Sequence, residues 1–174
     1  MVDFNLSSFK STYREYARAY TFYANILNCP YFEENNRYLV TATRLPATTN
    51  DSTDVNWQGH RYRIATTQNY EDFTISWNID TDSKLRTQFL EWATFLNNPV
   101  DNMHGDPEGG NPQYFAQIYL THLNPRGEEI QEFKLDDCWP TSVGEVILDY
   151  SSKEVAKFDV TFAYQFHTIK GINH

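Results

Sequence analysis

The chain has 174 residues, of which 40% are hydrophobic and 16% aromatic, and it carries a formal net charge of −9. This length predicts a single domain that buries roughly 70% of its unfolded surface, and the aromatic content excludes a disordered chain. The acidic balance argues against a tight grip on nucleic acid, which requires Lys and Arg at the phosphates.

The N-terminal third of the chain predicts a short helix followed by strands. Phe9, Tyr13 and Tyr16 fall on one face at helical spacing, which indicates a helix over residues 7–18. That helix could pack on its own domain or reach a neighbouring molecule as an arm. Apolar residues then alternate with polar ones over residues 19–27 and 37–45, and this period of two predicts two strands.

Residues 46–56 are polar, rich in Thr, Asp and Asn, and poor in core-forming residues. The composition is typical of a mobile surface loop, although a loop of this length in a compact domain is more often functional than idle. Beyond it, alternation over residues 57–67 predicts another strand. Tyr62 and Ile64 are expected to face the core, and the arginines beside them to face solvent.

The middle of the chain predicts a strand, a long helix and a hairpin. Residues 72–80 alternate apolar residues with small polar ones, as in a strand with one solvated face. Residues 83–97 predict a helix with an apolar stripe toward the core, formed by Leu85, Phe89, Trp92, Ala93 and Leu96. A Gly/Pro-rich loop over 101–112 follows, and then two strands over 114–123 and 128–135 around the turn Asn-Pro-Arg-Gly.

Two alternating runs near the C-terminus predict a terminal hairpin. Every second residue from Ala156 to Phe166 is apolar, and Val146, Leu148 and Tyr150 alternate in the same way ahead of them. Residues 151–154 are the expected turn. Both apolar sets share one face only if the loop has an odd number of residues, since a slip of one residue turns a strand over.

Motifs of catalysis or ligand binding are missing from the sequence. It has no nucleotide-binding glycine pattern, no nucleophile elbow and no zinc-protease helix. Asp101, Asp106 and Glu108 miss the spacing of a calcium loop, and the five histidines are scattered. Cys29 and Cys138 are expected to be inert thiols and not a disulfide. We therefore predict no catalytic residue, no metal and no cofactor.

The sequence does not show the pattern of a targeting signal either. The first residues do not read as a signal peptide, and no apolar run approaches the roughly 20 residues of a membrane span. The chain is expected to be made and assembled in a cytoplasm, without membrane insertion.

The run W-P-T-S-V-G-E-V-I-L-D-Y, residues 139–150, followed by a final apolar strand, resembles the C-terminal part of the tail tube proteins of contractile-tailed, T4-like bacteriophages. The order of the elements resembles that family as well. An early strand is followed by a Leu-Pro pair at Leu45, then by a Trp-containing helix and by the terminal hairpin.

The predicted fold is mainly β, an antiparallel β-sandwich or barrel of about eight strands with one flanking α-helix, over the single domain 1–174. The resemblance implies that copies form a hexameric ring, in which one sheet from each closes a shared β-barrel around a lumen. Stacked rings would form the inner tail tube inside a contractile sheath, the conduit for genome ejection. Such closure removes unpaired sheet edges, which otherwise invite aggregation.

The resemblance also implies two surfaces. A long hairpin arm at 46–56 would reach the adjacent ring, through Thr48, Thr49, Asn50, Asp51, Ser52 and Thr53. The lumen wall should be acidic or neutral, since basic residues would hold DNA; its candidates are Asp72, Thr74, Ser76, Asn78, Glu145, Asp149, Asp159, Thr161 and Gln165. A simpler interpretation of the charge is that it keeps the subunit soluble.

The implied partners are further copies of the chain, the tail sheath protein, the tape measure protein, and baseplate and terminator proteins. Double-stranded DNA would pass through without specific binding, and the expected location is the virion, assembled in the host cytoplasm. Two alternatives within the family are a tube-initiating baseplate paralogue and the tube of a related contractile injection system. An alternative of another class is a monomeric ligand-binding β-barrel, and an enzyme is the least favoured.

Overall fold

The computed structural model describes residue 10 and residues 17–29, 32–99, 114–151 and 153–171. These residues form nine strands, one α-helix and a 3-10 helix, in the order β1 (Phe22–Leu27), the 3-10 helix (Glu34–Leu39), β2 (Val40–Thr43), β3 (Thr48–Trp57), β4 (His60–Tyr70), β5 (Phe73–Asn78), α1 (Lys84–Leu96), β6 (Ala116–Leu123), β7 (Glu129–Val143), β8 (Lys157–Ala163) and β9 (Phe166–Ile169). The predicted loop over 101–112 and nearly all of the predicted helix over 7–18 lie outside the described residues.

Seven strands form one antiparallel sheet in the order β1-β6-β7-β8-β5-β2, with β9 also paired to β7, and β3 and β4 form a separate two-stranded hairpin. The long β7 joins two parts of the large sheet. Its first half pairs with β6 and β9, and its last residues pair with β8. Asp137 has a left-handed φ of 53° and lies between Leu135 and Cys138, where the register with β6 shifts, so β7 is irregular there. The result is the mainly β, antiparallel fold that the sequence predicts.

The core lies between the large sheet and α1. Leu85, Phe89 and Trp92 of α1 are buried, and the Phe89 ring lies 5.5 Å from Trp77 of β5 and 6.0 Å from Phe162 of β8. Alternate residues of β5 are likewise buried. The predictions of β5 and of α1 are confirmed. Of the predicted stripe, Ala93 and Leu96 are only partly buried.

The hairpin of β6 and β7 is also confirmed. Asn124 Oδ1 accepts hydrogen bonds from the backbone amides of Arg126 at 2.9 Å and Glu128 at 2.8 Å. Gly127 has a φ of +83°, a conformation that costs glycine little. The turn thus forms from the Asn and Gly that indicated it, but β7 continues to Val143, beyond the predicted end at residue 135.

Residues 37–45 do not form one strand as predicted. The 3-10 helix takes residues up to Leu39, and β2 is confined to Val40–Thr43. The Asn36 amide donates to Gln88 Oε1 of α1 at 2.9 Å. This contact docks the 3-10 helix on α1, and residues 37–39 are part of that helix and not of the strand.

The predicted terminal hairpin is wrong in its first strand. Residues 144–149 have no regular structure, and Ile147, Leu148 and Tyr150 are exposed. The two edges of β8 are already occupied, one by β5 and the other by the end of β7. Gly144 N donates to Asp159 O at 2.7 Å, and the chain then leaves the sheet. Residues 146–150 alternate as a strand does, but β8 has no free edge with which they could pair.

The arm is a hairpin, as the resemblance implies, and not the loop that its composition suggests. Residues 48–56 belong to β3 and pair with β4. The predicted inward face of the next strand is wrong. Tyr62 and Ile64, predicted to face the core, are exposed. They lie on a hairpin whose residues are exposed from Thr48 to Asn69, so their alternation does not correspond to burial in this chain.

Candidate functional site

The outer face of the large sheet, opposite α1, carries a set of small polar side chains. β5 and β8 are in register there, and the hydroxyl oxygens of Thr74 and Thr161 lie 3.1 Å apart. The neighbours of these residues along each strand face the core. The cross-strand pairs on the polar face are Thr74 with Thr161, Ser76 with Asp159, and Asn78 with Lys157.

The polar face continues onto the strands at either side. Ser142 of β7 is opposite Thr161, and Ala42 of β2 is opposite Ser76. The sequence did not indicate Ser142 and Ala42 as part of this face. Both strands contain a register shift, between Pro140 and Ser142 and between Val40 and Ala42, and a bulge of this kind changes which side a residue faces without a clear signal in the pattern.

The structure thus brings together Thr74, Ser76, Asn78, Asp159 and Thr161 of the predicted lumen candidates. Of the other four, Asp72 precedes β5 and Gln165 lies between β8 and β9. Glu145 and Asp149 follow β7 and line one groove together with Ser76 and Asp159. The backbone amide and the hydroxyl of Ser151 each donate to Asp149 Oδ1 at 2.8 Å, which lowers the pKa of that carboxyl. The backbone amide of Gln165 donates to Asp136 O at 3.2 Å.

The β3–β4 hairpin is anchored to the rest of the fold at its base. The Tyr70 ring lies 5.7 Å from that of Tyr164 and 5.2 Å from that of His167. The Thr48 hydroxyl is hydrogen-bonded to His167 Nε2 at 3.2 Å. Two-stranded hairpins are marginally stable by themselves in water, so these base contacts help to fix where the hairpin leaves the domain.

The two faces of the hairpin differ in chemistry. On one face the Asp54 carboxylate lies between Arg61 and Arg63, and their hydrogen bonds, that of Arg61 above all, lower its pKa. The cross-strand register places a different set on the opposite face, where it is exposed: Val55, Trp57, Tyr62 and Ile64. The hairpin is therefore amphipathic with its apolar face uncovered.

The predicted inter-ring candidates, 48–53, occupy the half of β3 nearer the base. Thr48 belongs to the anchor, and Asp51 lies at the bulge between Asn50 and Ser52, where it accepts a hydrogen bond from the Asn69 amide at 2.6 Å. The sequence did not predict the exposed apolar face of the hairpin. The alternation of Tyr62 and Ile64 with arginines is its only sign, and that alternation predicts a core strand equally well.

Within the described residues, no group of three or more His, Cys, Asp and Glu could hold a metal ion. Cys138 is buried, and Cys29 is partly buried. Burial raises the pKa of the Cys138 thiol to about 12, so it is protonated and unreactive at neutral pH. No helix in the described part of the chain is long and apolar enough to cross a membrane.

Solved structures of contractile injection systems contain the same fold. A chain in the PVC sheath–tube complex in its extended state aligns with a TM-score of 0.65 at 12% identity, over 98% of this chain and 100% of that one. A chain in the baseplate of the anti-feeding prophage aligns with a TM-score of 0.67 at 16% identity, over 91% and 98%. The nine strands and α1 thus define a fold found in tube-containing assemblies.

Sequence comparison supplies the family. The chain matches the family described as phage tail tube protein over residues 1–170, and it belongs to that family. It is 24% identical over 139 residues to tail tube protein gp19 of Enterobacteria phage T4, covering 78% of this chain and 83% of the relative, and the same values hold for gp19 of phage T6. The resemblance noted in the sequence is confirmed, and the role of the protein is structural, as a tail tube component of the virion.

Proposed function

We propose that the chain forms hexameric rings that stack into the inner tube of a contractile tail, with the polar face of the β2–β5–β8–β7 sheet lining the lumen. The observation that carries this proposal is the two-sidedness of that sheet. One face packs on α1 through large aromatic rings. The other carries small polar groups on β5, β8 and β7, with Ala42 of β2 beside them.

The edges of this sheet suit closure into a ring. β2 is its last strand on one side. On the other side, residues 139–143 of β7 pair with β8 alone among the described residues. Joining β2 of one copy to this part of β7 in the next would satisfy both rows of backbone groups. Repetition around a closed ring would leave no edge open to uncontrolled pairing.

The chemistry of the polar face suits a conduit for DNA. Hydroxyl and amide groups predominate, and Asp159 and Lys157 lie on it with opposite charges. A wall without an excess of Lys and Arg gives phosphates no periodic site at which to stop. We infer that double-stranded DNA passes through without specific binding.

Partners follow by analogy with the relatives. The solved structures include a sheath–tube complex, a baseplate and a tube-terminating cap. We infer equivalent sheath, baseplate and terminator partners here, together with a tape measure protein, assembly in the host cytoplasm, and no catalytic activity. The baseplate likeness also supports the second candidate, a tube-initiating paralogue.

Electron microscopy of the purified chain tests the proposal. We expect sixfold rings or rods, and a cryo-EM map in which Ser76 and Thr161 face the channel. A chain that stays monomeric at high concentration by light scattering would contradict the tube and favour a monomeric binder. A ring with α1 on the channel side would contradict the assignment of the lumen face alone.

We further propose that the β3–β4 hairpin reaches the adjacent ring. Ser52 and Ala65 are opposite each other in the hairpin, so a two-residue Asn-Gly turn can replace residues 53–64 and keep the base intact. The shortened chain should keep its circular dichroism spectrum and form single rings, without long tubes. Normal tubes from it, seen in negative stain, would contradict the proposal, and an unfolded chain would show that the hairpin serves folding.

A further inference from the structure

The outer strand β2 contains a bulge at Thr41. Its register with β5 shifts between Val40 and Ala42, so Thr41 is an extra residue without an opposite partner. The Thr41 hydroxyl donates to Ser76 O at 3.2 Å, which fixes the bulge against β5. A bulge of this kind sets two residues of one strand against one residue of its neighbour.

The end of β7, at the other edge of the same sheet, contains a similar bulge at Thr141. The register with β8 shifts between Pro140 and Ser142, and the Thr141 hydroxyl donates to Thr161 O at 3.1 Å. In both strands the extra residue is therefore a threonine that bonds to the backbone of the inner strand. The two bulges lie on opposite edges, with β5 and β8 between them.

The backbone hydrogen bonds show which residues of β7 point to the free edge. Gly144 N donates to Asp159 O at 2.7 Å, so the backbone groups of Gly144 point toward β8. Successive residues of an antiparallel strand point to alternate sides, and the two residues of the bulge count as one. Val143 and Pro140 therefore point away from β8, three positions apart.

The same reasoning gives the residues of β2 that point to its free edge. Ile79 N donates to Ala156 O at 3.0 Å, so Ile79 points toward β8. By alternation along β5, Ser76 then points toward β2. Val40 and Thr43 are opposite the residues on either side of Ser76, and they therefore point outward, again three positions apart.

The two free edges thus present backbone groups with the same spacing. Outward residues of a regular strand are two positions apart, but the bulges set them three apart on both edges. β2 and β7 run in opposite directions, because each pair of neighbours between them is antiparallel. Pairing Val40 with Val143 of another copy therefore brings Thr43 opposite Pro140. Any slip would set a bulge against a regular step and leave buried backbone groups unpaired.

We propose that the matched bulges at Thr41 and Thr141 fix the register in which subunits join, with Val40 of one copy opposite Val143 of the next. The proposal rests on the proposed ring and specifies its junction. It gives both bulges a role in assembly that the isolated fold does not require.

The side chains agree with this register. Val40 and Val143 are partly buried and pack against the core, so their pairing would continue the apolar layer from one copy to the next. Pro140 has no N–H to donate, and edge strands tolerate proline where that group would point outward. The junction would join Val40 and Val143 by two backbone hydrogen bonds, and Thr43 N would donate to Pro140 O.

Removal of the bulges tests the proposal. Deletion of Thr41 leaves Val40, Ala42 and Thr43 opposite the same residues of β5, but it shortens the outward spacing on this edge. Deletion of Thr141 does the same on β7. Each single deletion should keep the circular dichroism of the monomer and weaken ring association at least about tenfold, because backbone groups remain unpaired. The double deletion makes the spacings equal again and should restore rings.

The matched control is Thr41→Ser, which keeps the extra residue and its hydroxyl and should assemble as the parent does. Single deletions that assemble like the parent would overturn the proposal, and so would a double deletion that assembles no better than either single one. Rings of the unmodified chain show that the tube function stands in these cases. If the unmodified chain forms no rings, both proposals fall.

Disulfide trapping decides the matter if the deletions unfold the chain. In a Cys29→Ala background, Val40→Cys combined with Val143→Cys should link neighbouring copies under oxidation, in a ladder that ends at the size of the ring. The control combines Thr43→Cys with Val143→Cys, which the proposed register sets about 10 Å apart. It should link at least about fivefold more slowly, since a disulfide needs Cβ atoms about 4 Å apart. Equal or faster linking of the control would overturn the register, as would no linking in chains whose parent forms rings.

Discussion

Trp92 shows how one side chain ties α1 to the sheet. It is 1% exposed, its ring lies 6.1 Å from that of Phe162, and its Nε1 donates to Tyr114 O at 3.0 Å. We expect Trp92→Ala to lower the free energy of unfolding by about 3–5 kcal/mol, because it leaves a large cavity. The urea midpoint of the monomer measures the loss.

Two variants show where the loss at Trp92 comes from. Trp92→Phe keeps most of the ring but leaves the Tyr114 carbonyl without its donor, so it should lose less than Trp92→Ala. Trp57→Ala removes an exposed indole and should change the monomer by no more than about 0.5 kcal/mol. Equal midpoints for Trp92→Ala and the parent chain would contradict the core role of Trp92.

The Cys138 thiol predicts a loss of stability in alkali. Burial raises its pKa from 9.0 to about 12, so the folded chain holds the proton more tightly than the unfolded chain does. The stability from this difference is complete below pH 9 and is lost as pH rises toward 12. The parent should therefore lose stability between these values more steeply than Cys138→Ala, measured by urea midpoints. Parallel losses in the two chains would contradict the assignment. Tyr164, whose pKa burial raises to about 12, adds a similar loss in both chains.

At the scale of elements, Gly144 allows the chain just after β7 to lie close to the backbone of β8. A Cβ on Gly144 would lie 2.8 Å from the backbone oxygen of Asp159, which accepts the Gly144 amide at 2.7 Å. Backbone atoms on both sides leave little freedom to relax. We expect Gly144→Ala to lower the free energy of unfolding by about 1–3 kcal/mol, as other overpacked sites do.

The control for Gly144→Ala is Thr94→Ala on the exposed side of α1. It should be neutral or slightly stabilising, since Ala has the higher helix propensity. If thermal unfolding of Gly144→Ala coincides with that of the parent, the close approach of β7 and β8 at this point is not as tight as described.

The elements differ in how far sequence could predict them. α1 and β5 were predictable because their apolar residues are buried inside this chain. Leu85, Phe89 and Trp92 are the buried residues of α1, and Trp77 is one of those of β5. Strand periodicity over 146–150 and the inward face at Tyr62 were misleading. Alternation indicates that the two faces of a strand differ in chemistry, but it does not show that the apolar face is buried in the same molecule.

At the scale of the whole molecule, sequence could predict the class of protein and only part of its site. Thr74, Ser76 and Asn78 were recognisable as one polar face because β5 is regular. Ser142 and Ala42 join that face through bulged strands, and the position of such a bulge depends on pairing with distant residues. Gln165 shares the period of β8 in the sequence, but β8 ends at Ala163.

The last prediction concerns the charge of the channel. If the polar face lines the lumen, Ser76→Lys places one ammonium per subunit on the wall in every ring. Parent tubes should hold short duplex DNA weakly or not at all in cosedimentation at low salt. Ser76→Lys tubes should retain it, with a salt dependence whose log–log slope steepens by about 0.9 for each phosphate neutralised.

Thr94→Lys is the matched control, because it adds the same charge on α1, on the other side of the sheet from the polar face. Its tubes should behave as the parent does toward DNA inside the channel, which nuclease protection distinguishes from DNA on the outside. Protected DNA in Thr94→Lys tubes but not in Ser76→Lys tubes would mean that α1 faces the channel. The net charge of −9 would then serve the solubility of the subunit, and the polar face would not be the wall that DNA passes.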